Sequence, residues 1–477
     1  MKNKPFYHIF GYVFLLLSLW GCIPSQYATR NENKSVPENY NSLSQDTLNV
    51  ANQNWREYFA DNSLAALIDT ALKNNQELNV ILQEIEVSNN ETLARKGAYL
   101  PFLNVGLGAG VDKTAQYTRL GAVEEQLSVA PGTAFPKPLQ DYTVGASVSW
   151  EIDVWGKLHN AEKSAVSRYL ASIEGKNFMV THLISEISEA YYELMALDNL
   201  LDIIEKNIDI QSKAFNVIKQ QKEFAKVTQL AVNRFEAQLL NTQNRRFAIK
   251  QKIVETENRI NFLTARFPKP IARNSGKFLE VKLDSLHAGI PAQLLVNRPD
   301  VRQAEFALAA AKLDVEVAKA NFYPTVGIRA GIGFQAFNPA FLINPESLLF
   351  NLVGDLVAPL INRNALEAAY NTATVQQIQA VYRYEQSILN AYVDILNQLS
   401  KLDNFTKSYE TKSKEVEILV ESVTIANNLF NSAKADYAEV LFTQKEALEA
   451  KTDAVEIKLK QLQAKVNIYR ALGGGWK

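Results

Sequence analysis

Few side chains in this chain of 477 residues are spaced for covalent chemistry. Glu151 and Asp153 lie two apart, where a carboxylate pair could divide the roles of general acid and general base. They alternate with apolar Ile152 and Val154, so a solvated lumen or junction position near a strand end explains them better. His159, His182 and His287 stand far apart with no cluster at metal-ligand spacing. There is no nucleophile elbow and no phosphate loop, and Gly331-Ile332-Gly333 lacks the third glycine of a dinucleotide fingerprint. Beyond Met1 only Met179 and Met195 are available for a thioether metal relay. Neither catalysis nor a cofactor is expected. Lys+Arg number 50 against 51 Asp+Glu, a net charge of −1 with no electrostatic footprint for nucleic acid.

Cys22 is the only cysteine. Lys2 and Lys4 precede an apolar run from Ile9 to Trp20, and Leu19-Trp20-Gly21-Cys22 follows, a segment that resembles a bacterial lipoprotein signal. The expectation is a signal peptide over 1–21, with Cys22 acylated as an anchor in outer-membrane lipid. The mature chain then keeps no thiol, so disulfides are excluded.

The elements able to position anything are unusual. Lys157 to Phe267 and Leu360 to Leu472 contain no proline and only one glycine between them, Gly175. Proline costs a helix interior about 3 kcal/mol and glycine about 1 kcal/mol, so each stretch predicts uninterrupted helix. Polar, small-residue breaks near the middle, Lys222 to Gln229 and Asn431 to Asp436, make each a helical hairpin. An arm such as Leu158 to Lys222 spans about 100 Å, several times the roughly 30 Å core of a bilayer.

The chain is also an internal duplication. Leu78 to Gly110 aligns with Val301 to Gly333, placing Pro101 on Pro324 and Lys96 on Lys319. Each half reads as helix, strand, strand and long helical hairpin. The strands alternate: Leu103, Val105 and Leu107 oppose Asn104, Gly106 and Gly108, and Val326, Ile328 and Ile332 oppose Gly327, Arg329 and Gly331. Strands of about ten residues with aromatic ends and a small polar opposite face fit a transmembrane barrel. Four strands cannot close, and an open edge in lipid leaves backbone groups unpaired. Two copies supply eight strands and three supply twelve. Residue spacing alone leaves both open, although small barrels are plugged by their own side chains, which favours the larger number for a conduit.

Three segments carry a specific likeness: Ile290-Pro-Ala-Gln-Leu-Leu-Val-Asn-Arg-Pro-Asp-Val301, Val148-Ser-Trp-Glu-Ile-Asp-Val-Trp-Gly-Lys157, and Tyr469-Arg-Ala-Leu-Gly-Gly-Gly-Trp476. With the weaker Asp436-Tyr-Ala-Glu-Val-Leu-Phe-Thr-Gln444, the chain resembles the TolC-like outer-membrane efflux factors, in the lipoprotein branch that works with resistance–nodulation–division (RND) pumps. The resemblance implies a mainly α fold with a membrane β-barrel. A homotrimer would form a 12-strand β-barrel continued by a 12-helix α-barrel through the periplasm. It further implies a periplasmic adaptor and an inner-membrane RND pump as partners, export of small molecules as the function, and the outer membrane as the location.

The expected organisation is a signal over 1–21 and an extended or equatorial segment over 22–75. A first repeat over 76–267 carries strands near 102–112 and 141–153 and a hairpin over 158–267. After a connector over 268–294, a second repeat over 295–472 carries strands near 325–336 and 347–358 and a hairpin over 363–472; the tail is 473–477. Adaptor contacts fall on Phe224, Ala225, Lys226 and Val227 and on Asn431, Ser432, Ala433 and Lys434. The periplasmic gate falls on Ala438, Glu439 and Phe442. Phe442 stands where the family commonly has an aspartate, so an apolar plug is expected, with Glu439 supplying cation selectivity. Arg298-Pro299-Asp300 reads as helix initiation and Gly473 to Gly475 as a helix stop. Alternatives are a duct for protein secretion or metal efflux, and a lipid-anchored periplasmic coiled-coil scaffold.

Overall fold

In a computed structural model, the two proline-free stretches form long helices, and Gly175 is the one glycine inside them. Residues 27–40, 48–130, 132–281, 288–359, 363–432 and 434–477 are described. The signal segment and Cys22 lie outside them. The helices are α1 (Trp55–Phe59), α2 (Asn62–Asn74), α3 (Gln76–Tyr99), α4 (Arg119–Gln126), α5 (Lys157–Glu223), α6 (Gln229–Leu263), α7 (Leu294–Asn297), α8 (Pro299–Ala320), α9 (Asn364–Asn431) and α10 (Tyr437–Ala471). The strands are β1 (Phe102–Asp112), β2 (Ser128–Ala130), β3 (Thr133–Ala134), β4 (Leu139–Ile152), β5 (Thr325–Ala336) and β6 (Leu348–Val357). The hairpin arms are unequal, 67 and 68 residues in α5 and α9 against 35 in both α6 and α10. The breaks fall at the residues named from the sequence, after Glu223 and after Asn431, and these lie past the midpoint of each stretch.

The chain divides into two compact units. The first takes residues 27–31, 87–169 and 306–381. It holds a four-stranded antiparallel sheet in the order β1-β4-β5-β6 and the two-stranded sheet of β2 and β3. Leu103, Val105, Leu107, Phe350, Leu352 and Leu356 project from one face and are exposed. The other face is small and polar, and its long side chains pair with one another. Arg329 meets Asp355 at 3.2 Å, and Gln335 donates to both oxygens of Asp141 at 2.9 and 3.0 Å. One cross-strand row on this face is Gly106, Gly145 and Gly333. A Cβ on Gly333 would fall on the backbone of Val144 and Gly145, so β4 and β5 approach too closely there for any side chain. Such glycine rows let a sheet curl towards closure.

The Val148–Lys157 motif anchors this sheet. Trp150 Nε1 donates to Tyr99 O at 3.0 Å, and Trp155 Nε1 donates to Pro324 O at 2.7 Å while stacking on Tyr323. Each tryptophan thus ties the end of β4 to the place where a medium helix of one repeat ends. The expectation that Asp153 is solvated is corrected: its side chain is only 3% exposed. It accepts from the backbone N–H groups of Leu158 and His159 at 3.0 and 2.9 Å and so caps the start of α5. Burial would raise its pKa, but these donors and the His159 ring hold it below the ordinary carboxylate range. Glu151 pairs with Lys157.

The second unit takes residues 32–86, 170–305 and 382–477. Its core joins Leu183, Ile187, Tyr191 and Leu194 of α5 to Ile260 of α6 and to Leu462, Val466 and Tyr469 of α10. Each such side chain contributes about 1.5–3 kcal/mol on burial. Helices α1 and α2 pack here and were not foreseen in a segment expected to be extended. Their start signals are visible, since Asn54 accepts from Arg56 N–H and Asp61 from Ser63 and Leu64 N–H. Upstream, Lys34 pairs with Glu305 at 2.7 Å, and buried Tyr40 stacks on Tyr392.

The duplication reuses one fastening with different residues. In the first half, Asn75 donates its amide to Leu263 O, the last carbonyl of α6, at 2.9 Å. In the second half, Arg298 occupies the corresponding place before α8 and donates to Ala471 O, the last carbonyl of α10, at 3.1 Å. Arg298 also forms a fork with Asp300 at 2.9 and 2.7 Å and reaches Asp394 of α9 at 3.4 Å. Its side chain is 8% exposed. Burial opposes its charge, yet the two carboxylates push its pKa up. The glycine tail docks beside it: Gly473 has φ +86°, a Cβ there would strike Asn297 O, and Trp476 Nε1 donates to that same carbonyl at 3.2 Å. The Arg-Pro-Asp and Gly-Gly-Gly-Trp motifs are thus two sides of one joint.

Arg298→Ala is expected to lower unfolding stability by about 1–3 kcal/mol, because it takes the charged donor from the partly buried Asp300 carboxylate and from the Ala471 carbonyl. Arg298→Lys should recover only part of this, since an ammonium lacks the planar fork. Denaturant midpoints of detergent-solubilised protein measure both.

Candidate functional site: the hairpin tips

At the first tip, α5 ends in a helix-stop turn with two characteristic bonds. Ala225 N–H donates to Lys222 O at 2.9 Å and Lys226 N–H to Gln221 O at 2.9 Å. Ala225 adopts φ +53°, the left-handed conformation that favours glycine. Thr228 then caps α6 by accepting from Ala231 N–H. At the second tip, Lys434 N–H donates to Leu429 O at 2.9 Å and Ser432 Oγ to Asn428 O at 2.8 Å. Asn431 closes α9, and Ala433 lies outside the described residues.

The two tips share an apolar cluster that sequence reasoning missed. Ile218, Ala231, Val232 and Phe235 of the first hairpin are buried, and Val227, Phe430, Tyr437 and Leu441 pack against them. The visible signal was the four-residue spacing of Tyr437 and Leu441, the helical interval that puts two apolar groups on one face. Of the expected contact residues, this cluster takes in only Val227. Phe224 is 76% exposed.

The expected gate residues lie on the other side of α10. Val440, Gln444, Ala447 and Leu448 are buried, whereas Glu439 is exposed and Phe442 is 62% exposed. Ala438 is half-buried. Glu439 and Phe442 therefore project away from their own chain's core and are free to face a lumen. Higher on the hairpins, Arg273 binds Asp198 of α5 at 2.5 and 2.9 Å and Glu257 of α6 at 2.5 Å. Burial works against the Asp198 charge, but Arg273 and Ser275 hold its pKa below the ordinary range. Among the described residues there is no group of three or more His, Cys, Asp or Glu placed to hold a metal ion, and no helix is long and apolar enough to cross a membrane.

The family described as outer membrane efflux protein matches residues 67–266 and 290–474. The chain belongs to this family. The efflux protein is 26% identical over 430 residues to the pyoverdine export outer membrane protein OpmQ of Pseudomonas putida, covering 90% of this chain and 89% of that one. It is 23% identical over 464 residues to the probable outer membrane lipoprotein SilC of Salmonella typhimurium, covering 96% of each. Its fold is that of the open-state MtrE outer membrane channel of Neisseria gonorrhoeae, with a TM-score of 0.81 at 21% identity over 96% of this chain and 98% of that one. The efflux protein is an outer-membrane channel component of the TolC-like kind and not an enzyme.

The tip geometry makes opposite forecasts for two substitutions. Ala225→Gly should stabilise the first tip by about 1 kcal/mol by relieving the left-handed alanine, whereas Phe235→Ala should cost about 3–5 kcal/mol. Hydrogen exchange of amides 214–241 should slow in the first variant and quicken in the second.

Proposed function

We propose that three copies of this chain form a passive duct that exports small molecules and opens at its periplasmic helix tips. One observation carries the reading. The four-stranded sheet has two unpaired edge strands, β1 and β6, and an apolar face exposed along its length. In lipid every backbone group needs a partner, so β1 of one copy must pair with β6 of the next. Three copies give a twelve-strand barrel with a polar interior, and their hairpins give a twelve-helix tube. The helices carry matching stripes: Ile210 and Val217 on α5, continued by Phe224 in the turn just past its end, and Leu240, Phe247 and Val254 on α6 recur every seven residues and are exposed in the single chain. A seven-residue seam is what neighbouring helices of a tube require.

Cys22 is the lipid anchor in this reading, by analogy with SilC, whose name calls it a lipoprotein. The substrates are small organic molecules, the class to which the OpmQ name points. A periplasmic adaptor seats on Phe224 to Val227 and Asn431 to Lys434 and connects the duct to an inner-membrane RND pump. Three Phe442 rings narrow the resting tip, and three Glu439 carboxylates above them favour cations over anions.

Single-channel recording in planar bilayers tests the gate. Phe442→Ala should raise resting conductance about twofold or more, and Glu439→Gln should shift the reversal potential towards anions. If the double variant Glu439→Ala/Phe442→Ala conducts and selects as the parent does, these residues are not the gate.

A further inference from the structure

One pocket of the second unit takes no part in the Arg298 joint or in the expected gate. It lies between α5 of the first hairpin and α9 and α10 of the second, and encloses about 440 Å³. Its walls are apolar: Ile203 of α5, Leu279 of the connector, Tyr409 and Val416 of α9, and Val455 of α10. The connector is fastened on both sides of Leu279. Asn199 of α5 donates to Ser275 O at 2.8 Å, and buried Lys458 of α10 donates to Val281 O at 2.7 Å while its Nζ lies 5.1 Å from the centre of the Tyr409 ring. Leu279 and Tyr409 are therefore held in place before anything enters, the preorganisation that a binding site uses.

A polar defect sits in this apolar wall. Asn207 lines the pocket one helical turn from Ile203 and Ile210, and its Oδ1 is buried with no hydrogen-bond partner among the described residues. One turn further along α5, Gln211 is 2% exposed, and neither its Oε1 nor its Nε2 has a partner there. Asparagine is a poor helix former, and a buried amide oxygen without a donor loses its hydration uncompensated. Leucine at 207 would suit both the helix and the wall better. A water molecule could reach Asn207 Oδ1, but it would leave the apolar walls wet. Charge around the pocket is balanced. Asp202 and Lys206 pair with each other at 2.7 Å, and Glu417 and Lys451, in no ion pair among the described residues, carry one charge of each sign.

We infer that this pocket binds an uncharged, flat amphiphile that packs its rings on Leu279, Tyr409 and Val416 and donates one N–H or O–H to Asn207 Oδ1. A lining without net charge disfavours an ion, whose desolvation would find no compensation. The unpartnered amide oxygen accepts and cannot donate, so the polar group of the ligand is a donor. Aromatic side chains favour a flat ring offset against their own. Because the walls come from both hairpins and from the connector, an occupant braces the first hairpin against the second, about 20–30 Å along α5 from its end at Glu223. All of these walls belong to one chain, so the site does not depend on trimer formation.

The test uses the full-length protein in nanodiscs and ligand-observed fluorine NMR with two probes: 5-fluoroindole, which carries one N–H, and 5-fluoro-1-methylindole, which carries none. Titration of empty nanodiscs supplies the lipid background. The parent should bind 5-fluoroindole saturably and about tenfold more tightly than the methylated probe. Asn207→Leu should bind the two equally, and Ala454→Trp, which fills the pocket from α10, should bind neither. Hydrogen exchange of amides 203–211 and 409–417 should slow when 5-fluoroindole is added to the parent and stay unchanged in Ala454→Trp. Equal affinity of the parent for the two probes overturns the inference, as does a preference that survives in Asn207→Leu or saturable binding that survives in Ala454→Trp. Absence of saturable binding to the parent also overturns it, including the case in which a neighbouring copy packs on Ile210 and closes the mouth. Native mass is read on every preparation, and Asn207→Leu still decides the matter if Ala454→Trp fails to fold. A parent that does not assemble rejects the duct alone, since the same titrations on the single chain still decide the pocket.

Discussion

Everything in this protein follows from two edge strands that no part of its own chain covers. β1 and β6 each present a row of unpaired N–H and C=O groups. In water such an edge invites aggregation, and in lipid it is prohibitive. The outward apolar residues, among them Leu107 and Phe350, place the sheet in lipid, so the edges must be satisfied by other copies. Four strands per copy then dictate what the helices do, because each strand pair feeds one long hairpin and each copy contributes two. The glycine row at Gly106, Gly145 and Gly333 gives the sheet the tight strand approach that closure demands.

Duplication supplied the architecture, and divergence supplied the asymmetry a working device needs. The fastening at the last carbonyl of each returning helix is retained, with Asn75 in one half and Arg298 in the other. The arginine version gathers more partners because it also holds the end of the chain. At the far end of the hairpins nothing comparable constrains the surface, and there the halves have moved apart in charge. Stable joints sit in the second unit's core around Tyr191 and Tyr469, while among the described residues the tips are joined by a small apolar cluster. That difference in joining is what a gate requires, since elements that move are drawn from the less stable parts of a structure.

Much of the fold was legible because it depends on rules of local scope. Absence of proline and glycine marked the hairpins, period-two alternation marked the strands, and the offset between Pro101 and Pro324 marked the duplication. What escaped depended on contacts between distant segments. Asp153 looked like a solvated acid until its role as the cap of α5 was seen, because capping depends on where Leu158 and His159 place their N–H groups. Arg298 looked like part of a helix start, yet its decisive partner lies 173 residues away at Ala471. Helix α2 was readable but overlooked, since Asp61 caps it and Leu64, Leu67, Ile68 and Ala71 keep a helical interval, whereas the five-residue α1 behind Asn54 is too short to show a period. At the candidate site, Glu439 and Phe442 were chosen by position in a motif, whereas the cluster uniting the tips showed in the sequence only as the four-residue spacing of Tyr437 and Leu441.

The central claim is that the sheet is completed by other copies of the same chain, and native mass of detergent-extracted, outer-membrane-purified protein addresses it most directly. The account predicts a species near three times the 53.4 kDa chain, less its signal peptides. A monomer in detergent, or recovery in the soluble fraction, would contradict it, because four strands with two open edges cannot stand alone in lipid.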